Sequence, residues 1–187
     1  FGLGFHNSDR FLLGATDIYE FLPRPFSIAT GVTLPVDGYD FTNLYAFYNF
    51  GQQRPLAGHV TVERGSFYNG TRTALTVGQG RVKLSNQLSL QPTYSLNRVR
   101  LEQGAFTAHL FGTRVTHTFT PLMFVSALLQ YNSTSHLVSA NVRLRWEYRP
   151  GSELFVVLNE QRDSTNPRFP ALMNRAFIVK INRLLQL

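Results

Sequence analysis

The sequence predicts an all-β chain: an up-and-down antiparallel β-barrel of the membrane-crossing kind, incomplete, with about ten strands. Three observations predict it. From Leu137 to Arg149 the residues alternate between two sets, Val138, Ala140, Val142, Leu144, Trp146, Tyr148 and Ser139, Asn141, Arg143, Arg145, Glu147, Arg149. In a strand these sets point to opposite faces. Tight turns, most of them with Pro or Gly, recur about every 28 to 35 residues, which leaves room for a hairpin in each interval. Finally, aromatics reach 13% while charged residues are only 16%, against roughly 25% in soluble domains.

The short turns are Pro23-Arg24-Pro25, Gly51–Pro55, Ser85–Gln87, Thr120–Leu122 and Pro150–Ser152. Between them lie other polar connections, mostly longer: Val36–Asn43, Phe67–Arg72, Glu102–Gly104, Asn132–Ser135 and Asp163–Asn174. The strands expected in order are 26–35, 43–50, 56–66, 73–84, 88–101, 105–119, 123–131, 137–149, 153–162 and 175–187. A further strand before Pro23 has a poor pattern. Lengths of about 8 to 15 residues bracket a tilted membrane-crossing strand and exceed the usual 5 or 6. Short turns on one side and longer loops on the other match the asymmetry of outer-membrane barrels.

Some strands alternate cleanly. Val60 and Val62 oppose His59, Thr61 and Glu63; Leu88, Leu90, Tyr94 and Leu96 oppose Ser89, Gln91, Thr93, Ser95 and Asn97; Phe177, Val179 and Ile181 oppose Lys180 and Asn182. Others do not. Both faces of 153–162 start apolar, neither set in 105–119 is clean, and Arg183 falls on the apolar face. The apolar faces suit either a second sheet or lipid. In lipid, Trp146 and Tyr148 would mark the lipid–water boundary.

Composition excludes several classes. No apolar run approaches the roughly 18 residues of a membrane helix. The net charge is +7, from 18 Lys+Arg and 11 Asp+Glu. The basic residues are scattered rather than clustered, so no nucleic-acid partner is expected. Cysteine is absent, which removes disulfide and thiol chemistry. The chain begins at Phe1 without a leader, and is expected to be a mature product or a piece of a longer protein.

The candidate lumen-lining residues are Asn141, Arg143, Arg145, Glu147 and Arg149, with Glu63 and Lys180 on other strands. The charged row reads two ways. It lines a pore that favours anions, or it fills the lumen and ties neighbouring strands together. No catalytic, metal-binding or cofactor-binding residue is expected. His6, His59, His109, His117 and His136 form no ligand pair; His109 and His117 on one strand would lie about 26 Å apart at roughly 3.3 Å per residue. Gly78-Gln79-Gly80 lacks the G-K-[ST] ending of a phosphate loop and reads as close packing or curvature within a strand. Asn69-Gly70 reads as a hairpin turn. Glu63, Glu147, Glu153 and Glu160 keep a hydrolase open as an alternative, since sequence does not place any two at catalytic separation.

Specific runs carry a resemblance. Tyr19-Glu20-Phe21-Leu22-Pro23-Arg24-Pro25-Phe26, Val62-Glu63-Arg64-Gly65-Ser66-Phe67-Tyr68, Leu144-Arg145-Trp146-Glu147-Tyr148 with Pro150-Gly151-Ser152-Glu153-Leu154-Phe155, and Asn174-Arg175-Ala176-Phe177-Ile178-Val179-Lys180 are its residues. Together they resemble the C-terminal region of a bacterial outer-membrane β-barrel family known only as a domain of unknown function. In that family the barrel often follows a carbohydrate-binding module similar to family nine of those modules. The resemblance spans most of the chain. It implies the C-terminal part of a larger barrel over 1–187, located in the bacterial outer membrane, with the bilayer and the barrel assembly machinery as partners. The terminal Leu187 is an apolar but weaker match to the aromatic that such machinery reads. No sugar-binding module is read here, so its residues do not carry over.

The expected role is passage or binding of a solute, a carbohydrate or an anion. A soluble β-barrel that binds a ligand internally, and a membrane-barrel hydrolase, are the alternatives.

Overall fold

The computed structural model describes residues 1–54, 56–166 and 168–184. Pro55, Pro167 and the proposed terminal signal at Leu187 lie outside the described residues. The chain is all-β, with thirteen strands among the described residues. They are β1 (Gly2–Gly4), β2 (Arg10–Leu22), β3 (Phe26–Ala29), β4 (Val32–Leu34), β5 (Asp37–Phe50), β6 (Leu56–Phe67), β7 (Gly70–Lys83), β8 (Leu88–Leu101), β9 (Gly104–Thr120), β10 (Met123–Asn132), β11 (Leu137–Arg149), β12 (Ser152–Asp163) and β13 (Ala171–Asn182). Eleven form one sheet in the order β1-β2-β5-β6-β7-β8-β9-β10-β11-β12-β13, and β3 pairs with β4 in a small separate sheet. Sequential neighbours pair except where the β3–β4 hairpin intervenes, which is the expected meander.

Two compact units divide the chain: Phe1–Gln79 with Thr93–Leu110, and Gly80–Pro92 with Phe111–Leu187. In the first unit, β2 and β5 pair in unbroken register from Arg10↔Asn49 to Leu22↔Asp37, and β5 pairs β6 from Asn43↔Gly65 to Phe50↔Gly58. This register puts Leu13, Ala15, Leu44, Ala46, Val60 and Val62 on one face. Leu12, Thr16, Asn43, Tyr45, Glu63 and Thr61 share the other. The β3–β4 hairpin packs on this second face. Leu34 is fully buried there with Leu22, Val32, Tyr39, Phe41, Val99 and Leu101. Edge-to-face contacts between Tyr39 and Tyr68 and between Phe41 and Phe67 extend this core.

The structure corrects the N-terminal reading. The single strand expected at 26–35 is a hairpin, because Gly31 (φ 77°) turns the chain and Ala29 pairs with Val32. The connection expected at 36–43 belongs to the long strand β5. The poor pattern before Pro23 hides β2, a thirteen-residue strand. Its alternation is weak because apolar residues stand on both faces: Leu13 and Phe21 on one, Leu12, Ile18 and Leu22 on the other. Pro23-Arg24-Pro25 is therefore not a tight turn between neighbours. It opens the excursion of residues 23–36. The Phe67–Arg72 connection shrinks to Tyr68-Asn69, with Tyr68 in the left-handed region (φ 50°).

The second unit pairs β10 with β11 from Met123↔Trp146 to Asn132↔Leu137. β11 pairs β12, and β12 pairs β13. β13 starts at Ala171, four residues before the expected 175, so the preceding loop is shorter than predicted. The glycine motif marks close packing, as expected. A Cβ at Gly80 would lie 2.5 Å from the Pro92 carbonyl oxygen; in the first unit, one at Gly78 would lie 2.6 Å from the His59 ring.

Candidate functional site: a polar groove on the C-terminal strands

Register decides which side chains meet. Phe124, Arg145 and Phe155 form one cross-strand row, in line with Lys180. The next row is Ser126, Arg143, Val157 and Ile178; the one after is Leu128, Asn141, Asn159 and Ala176. The β9 strand joins through Thr116, whose hydroxyl meets that of Ser126 at 3.5 Å. Between these rows lies a groove of about 810 Å³, lined by Arg114, Arg143, Arg145, Glu153, Phe124 and Phe155 among others. That volume falls in the range of roughly 300–1,000 Å³ typical of small-molecule sites. It runs on toward Lys180 through Arg143 and Phe155, which line both hollows.

The charges here are unevenly compensated. Arg145 donates from Nε to Glu153 Oε1 at 2.9 Å, and its Nη2 bonds the same oxygen. Glu153 is thereby committed. Glu147, its register partner, accepts the Gly151 backbone N–H at 3.1 Å. The side chains of Arg114, Arg143 and Lys180 make no hydrogen bond or ion pair with another described residue. Asn141 donates to Asn159. Beyond it, Gln130, Ser139, Gln161 and Asn174 line a smaller hollow of about 260 Å³ together with Glu160, whose carboxylate pairs with Arg162 and Arg175.

Of the predicted lining residues, the groove brings together Arg143 and Arg145, joins Lys180 through Phe155, and borders Asn141. Glu147 lies one row further along the same face. Arg149 is not brought in. The register shifts between Glu147 and Arg149, and Arg149 stands opposite Ser152, so the strict alternation stops at Tyr148. Glu63 belongs to the first unit, where it accepts Arg72 Nη2 at 2.7 Å. Trp146 and Tyr148 lie on the opposite, apolar face with ring centroids 6.1 Å apart. The Tyr148 hydroxyl donates to the Asn182 carbonyl at 3.0 Å.

Arg114, Phe124 and Phe155 were not anticipated. Arg114 stands on the strand whose alternation is unclear, so sequence gave it no face. A second polar centre, in the first unit, was also missed. Asp9 is only 1% exposed, yet it is a carboxylate. It accepts bonds from the Gly51 N–H at 2.8 Å, the Tyr48 hydroxyl at 2.8 Å, Arg54 Nη2 at 3.0 Å and Asn7 Nδ2 at 3.2 Å. The Gly51 amide bond and the Tyr48 bond hold its carboxyl below the usual aspartate range, assisted by Arg54 and opposed by burial. This centre ties the 5–9 loop to the 51–54 turn.

The carboxylates considered for hydrolysis all have partners: Glu63 with Arg72, Glu147 with Gly151, Glu153 with Arg145, and Glu160 with Arg162 and Arg175. No group of three potential metal-ligating side chains occurs among the described residues. The fold is an antiparallel meander in which the second unit has a mainly apolar face opposite a polar, grooved one. The chain matches no family model, no curated protein sequence and no solved structure.

Proposed function

We propose that this chain is part of a bacterial outer-membrane β-barrel whose polar face lines a path or binding site for a solute. The observation that carries the reading is the exposed apolar face of each unit, bracketed by aromatics. In the second unit Val125, Ala127, Val142, Leu144, Val156, Leu158, Phe177 and Val179 form an aliphatic and aromatic band. Trp146 and Tyr148 stand at one end, Tyr131 at the other. From Val138, opposite Tyr131, to Trp146 is eight residues, about 26 Å at roughly 3.3 Å per residue. This is of the order of the apolar band of membrane barrels, roughly 25 Å tall. In the first unit Leu13, Ala15, Leu44, Ala46, Val60 and Val62 lie between Tyr19 with Phe21 and Phe11 with Tyr48.

The side chains most exposed on these faces are large: Leu44 is 64% exposed, Phe177 68% and Ile181 67%. Soluble monomers rarely expose contiguous apolar patches beyond a few hundred Å². A sandwich would cover this face with a second sheet. The only second sheet described, β3–β4, packs on the other face. Charges do stand on the apolar faces. In the first unit Arg64 lies opposite Leu44, and Asp17 and Asp40 lie toward the Tyr19 end, where Asp17 accepts from the Thr42 hydroxyl. In the second unit Glu160 pairs with Arg162 and Arg175 at the end of the band near Asp163. No helix among the described residues is long and apolar enough to cross a membrane, which says nothing of strands.

The resemblance to an outer-membrane family of unknown function supports the same location, the assembly machinery as a partner, and a carbohydrate as one candidate solute. Extraction of the native protein requires detergent on this reading, and the folded form migrates faster than the boiled form on a gel. A folded monomer in plain buffer would sink it in favour of a soluble ligand-binding β protein. Vesicle-swelling assays on the full-length protein then test passage; absence of solute uptake restricts the role to binding or anchoring.

A further inference from the structure

We infer that the groove on the C-terminal strands holds an anion-binding subsite centred on Arg143, with Arg114 and Lys180 flanking it on either side, and that its ligand is a solute bearing a carboxylate or phosphate. The inference rests on the polar face being open to solute, as proposed above. Its own warrant is the distribution of partners. Around the groove the cations on this face are Arg114, Arg143, Arg145 and Lys180, and the carboxylates are Glu147 and Glu153; Asp163, at the far end of the same face, accepts from the Thr165 amide and hydroxyl. A network that only filled the space would pair them. Instead both bonds of Glu153 go to Arg145, and Glu147 is turned to the Gly151 amide. The Arg145–Glu153 pair neutralises itself and leaves the other three cations uncompensated.

Geometry makes Arg143 the shared member of two adjoining hollows, with Arg114 on one and Lys180 on the other. Arg114 and Arg143 line the large groove, and Arg143 and Lys180 line the adjoining hollow. Phe124 and Phe155 form an apolar floor beside Arg145. Low-dielectric walls beside unpaired cations raise the local potential and concentrate anions. A guanidinium offers paired donors that match the geometry of a carboxylate or phosphate, while the lysine ammonium acts as a point charge. The amide-lined hollow at Gln130, Ser139, Asn159 and Asn174 continues from the cationic part. Its amides and the Ser139 hydroxyl offer neutral donors and acceptors to the rest of the solute, while Glu160, which also lines it, is held by Arg162 and Arg175. An anionic head with a hydroxylated or amide-bearing body fits both parts.

The test is calorimetric titration of the folded full-length chain in neutral detergent at low ionic strength. Inorganic phosphate and succinate are the probes, and glucose is the uncharged control. Saturable binding of phosphate, succinate or both is expected; the preferred probe distinguishes a phosphoryl from a carboxylate solute. Arg143→Gln is expected to weaken it by about tenfold or more, since hydrogen bonds to charged groups contribute roughly 1.5–3 kcal/mol. Arg24→Gln, in a loop of the first unit, changes it by less than about twofold. Glu153→Gln releases Arg145 and is expected to tighten binding. A purely structural role for the pair predicts the reverse.

No saturable binding by protein that keeps its heat-modifiable gel migration would overturn the subsite. So would unchanged binding in Arg143→Gln, or weaker binding in a folded Glu153→Gln. The membrane reading fails separately: a chain folded in plain buffer that still binds phosphate through Arg143 keeps the subsite and loses the bilayer.

Discussion

The two units share one pattern and use it differently. Each turns an aliphatic face with aromatic ends one way and a polar face the other. In the first unit the β3–β4 hairpin folds onto the polar face and fills its end with Leu34, Val32, Tyr39, Phe41, Val99 and Leu101. In the second, Asn141, Arg143, Arg145 and Lys180 face an open groove. The contrast separates two jobs. The apolar faces meet the common requirement of the surrounding medium. The polar faces are where each unit differs, one packed for stability and the other left open with charge unspent.

Packing in the first unit carries the largest expected effect. Leu34 is wholly buried, so Leu34→Ala removes contacts and leaves a cavity, at a cost of about 2–5 kcal/mol. Denaturant unfolding in detergent measures it. Little change would mean that the hairpin is an ornament rather than the core of that unit, and the contrast between the units would lose its basis.

The apolar faces come next. Val142 lies in the middle of the proposed band, between Ala127 and Leu158. On the membrane reading, Val142→Arg puts a charge at bilayer depth, which costs about 2–4 kcal/mol in a membrane barrel. Refolding yield into lipid vesicles, read by heat-modifiable migration, should drop sharply. Adding an arginine at the neighbouring Asn141, on the polar face, should be far milder. Equal tolerance at both positions would argue that Val142 faces water and not lipid.

The same contrast explains what was legible in the chain. Strands β6, β8, β10, β11 and β12 alternate or lie between short polar turns, and their positions were read to within a few residues. The strand before Pro23 was read only as a poor pattern, and the region from Phe26 to Asn43 was misread, because the hairpin covers the polar face there. Residues such as Leu12, Phe41 and Leu22 are apolar where an open lumen would want polarity, so the period of two blurs. Arg143, Arg145 and Lys180 were legible from alternation alone. Arg149 was misplaced because a register shift follows Glu147, and no local pattern announces a bulge. The Asp9 centre was invisible for another reason. Its partners Tyr48, Gly51 and Arg54 lie about 40 residues away, and only the pairing of β2 with β5 brings them together.

That centre supplies a pH-dependent test confined to the first unit. The carboxyl of Asp9 sits below its ordinary range when folded. Its contribution is therefore present above the ordinary aspartate pKa and is lost as pH falls through the lowered folded value. Hydrogen exchange at the Gly51 amide, corrected for the intrinsic rate, should show protection falling over that acidic window. In Asp9→Asn the protection should be weaker at neutral pH and nearly flat with acidity. A wild-type profile without that loss would mean that Arg54 and Tyr48 do not hold the carboxylate in solution.

The smallest effect sits at the other end of the first unit. The Tyr68 hydroxyl donates to Glu20 Oε2 at 2.8 Å, while its ring packs on Tyr39, Phe41 and Phe67. Tyr68→Phe keeps the rings and removes one hydrogen bond, so the expected loss is about 0.5–1.5 kcal/mol. Burial, then the bond to Glu20, pushes the phenol up to about 12. A raised phenol pKa means that the stabilisation is complete below the ordinary tyrosine value near 10 and disappears as pH rises through the folded value. Wild type should therefore lose stability between about pH 10 and 12, and Tyr68→Phe should lose less over the same window. Equal slopes for the two proteins would assign the alkaline loss to other tyrosines and leave Tyr68 as a packing residue alone.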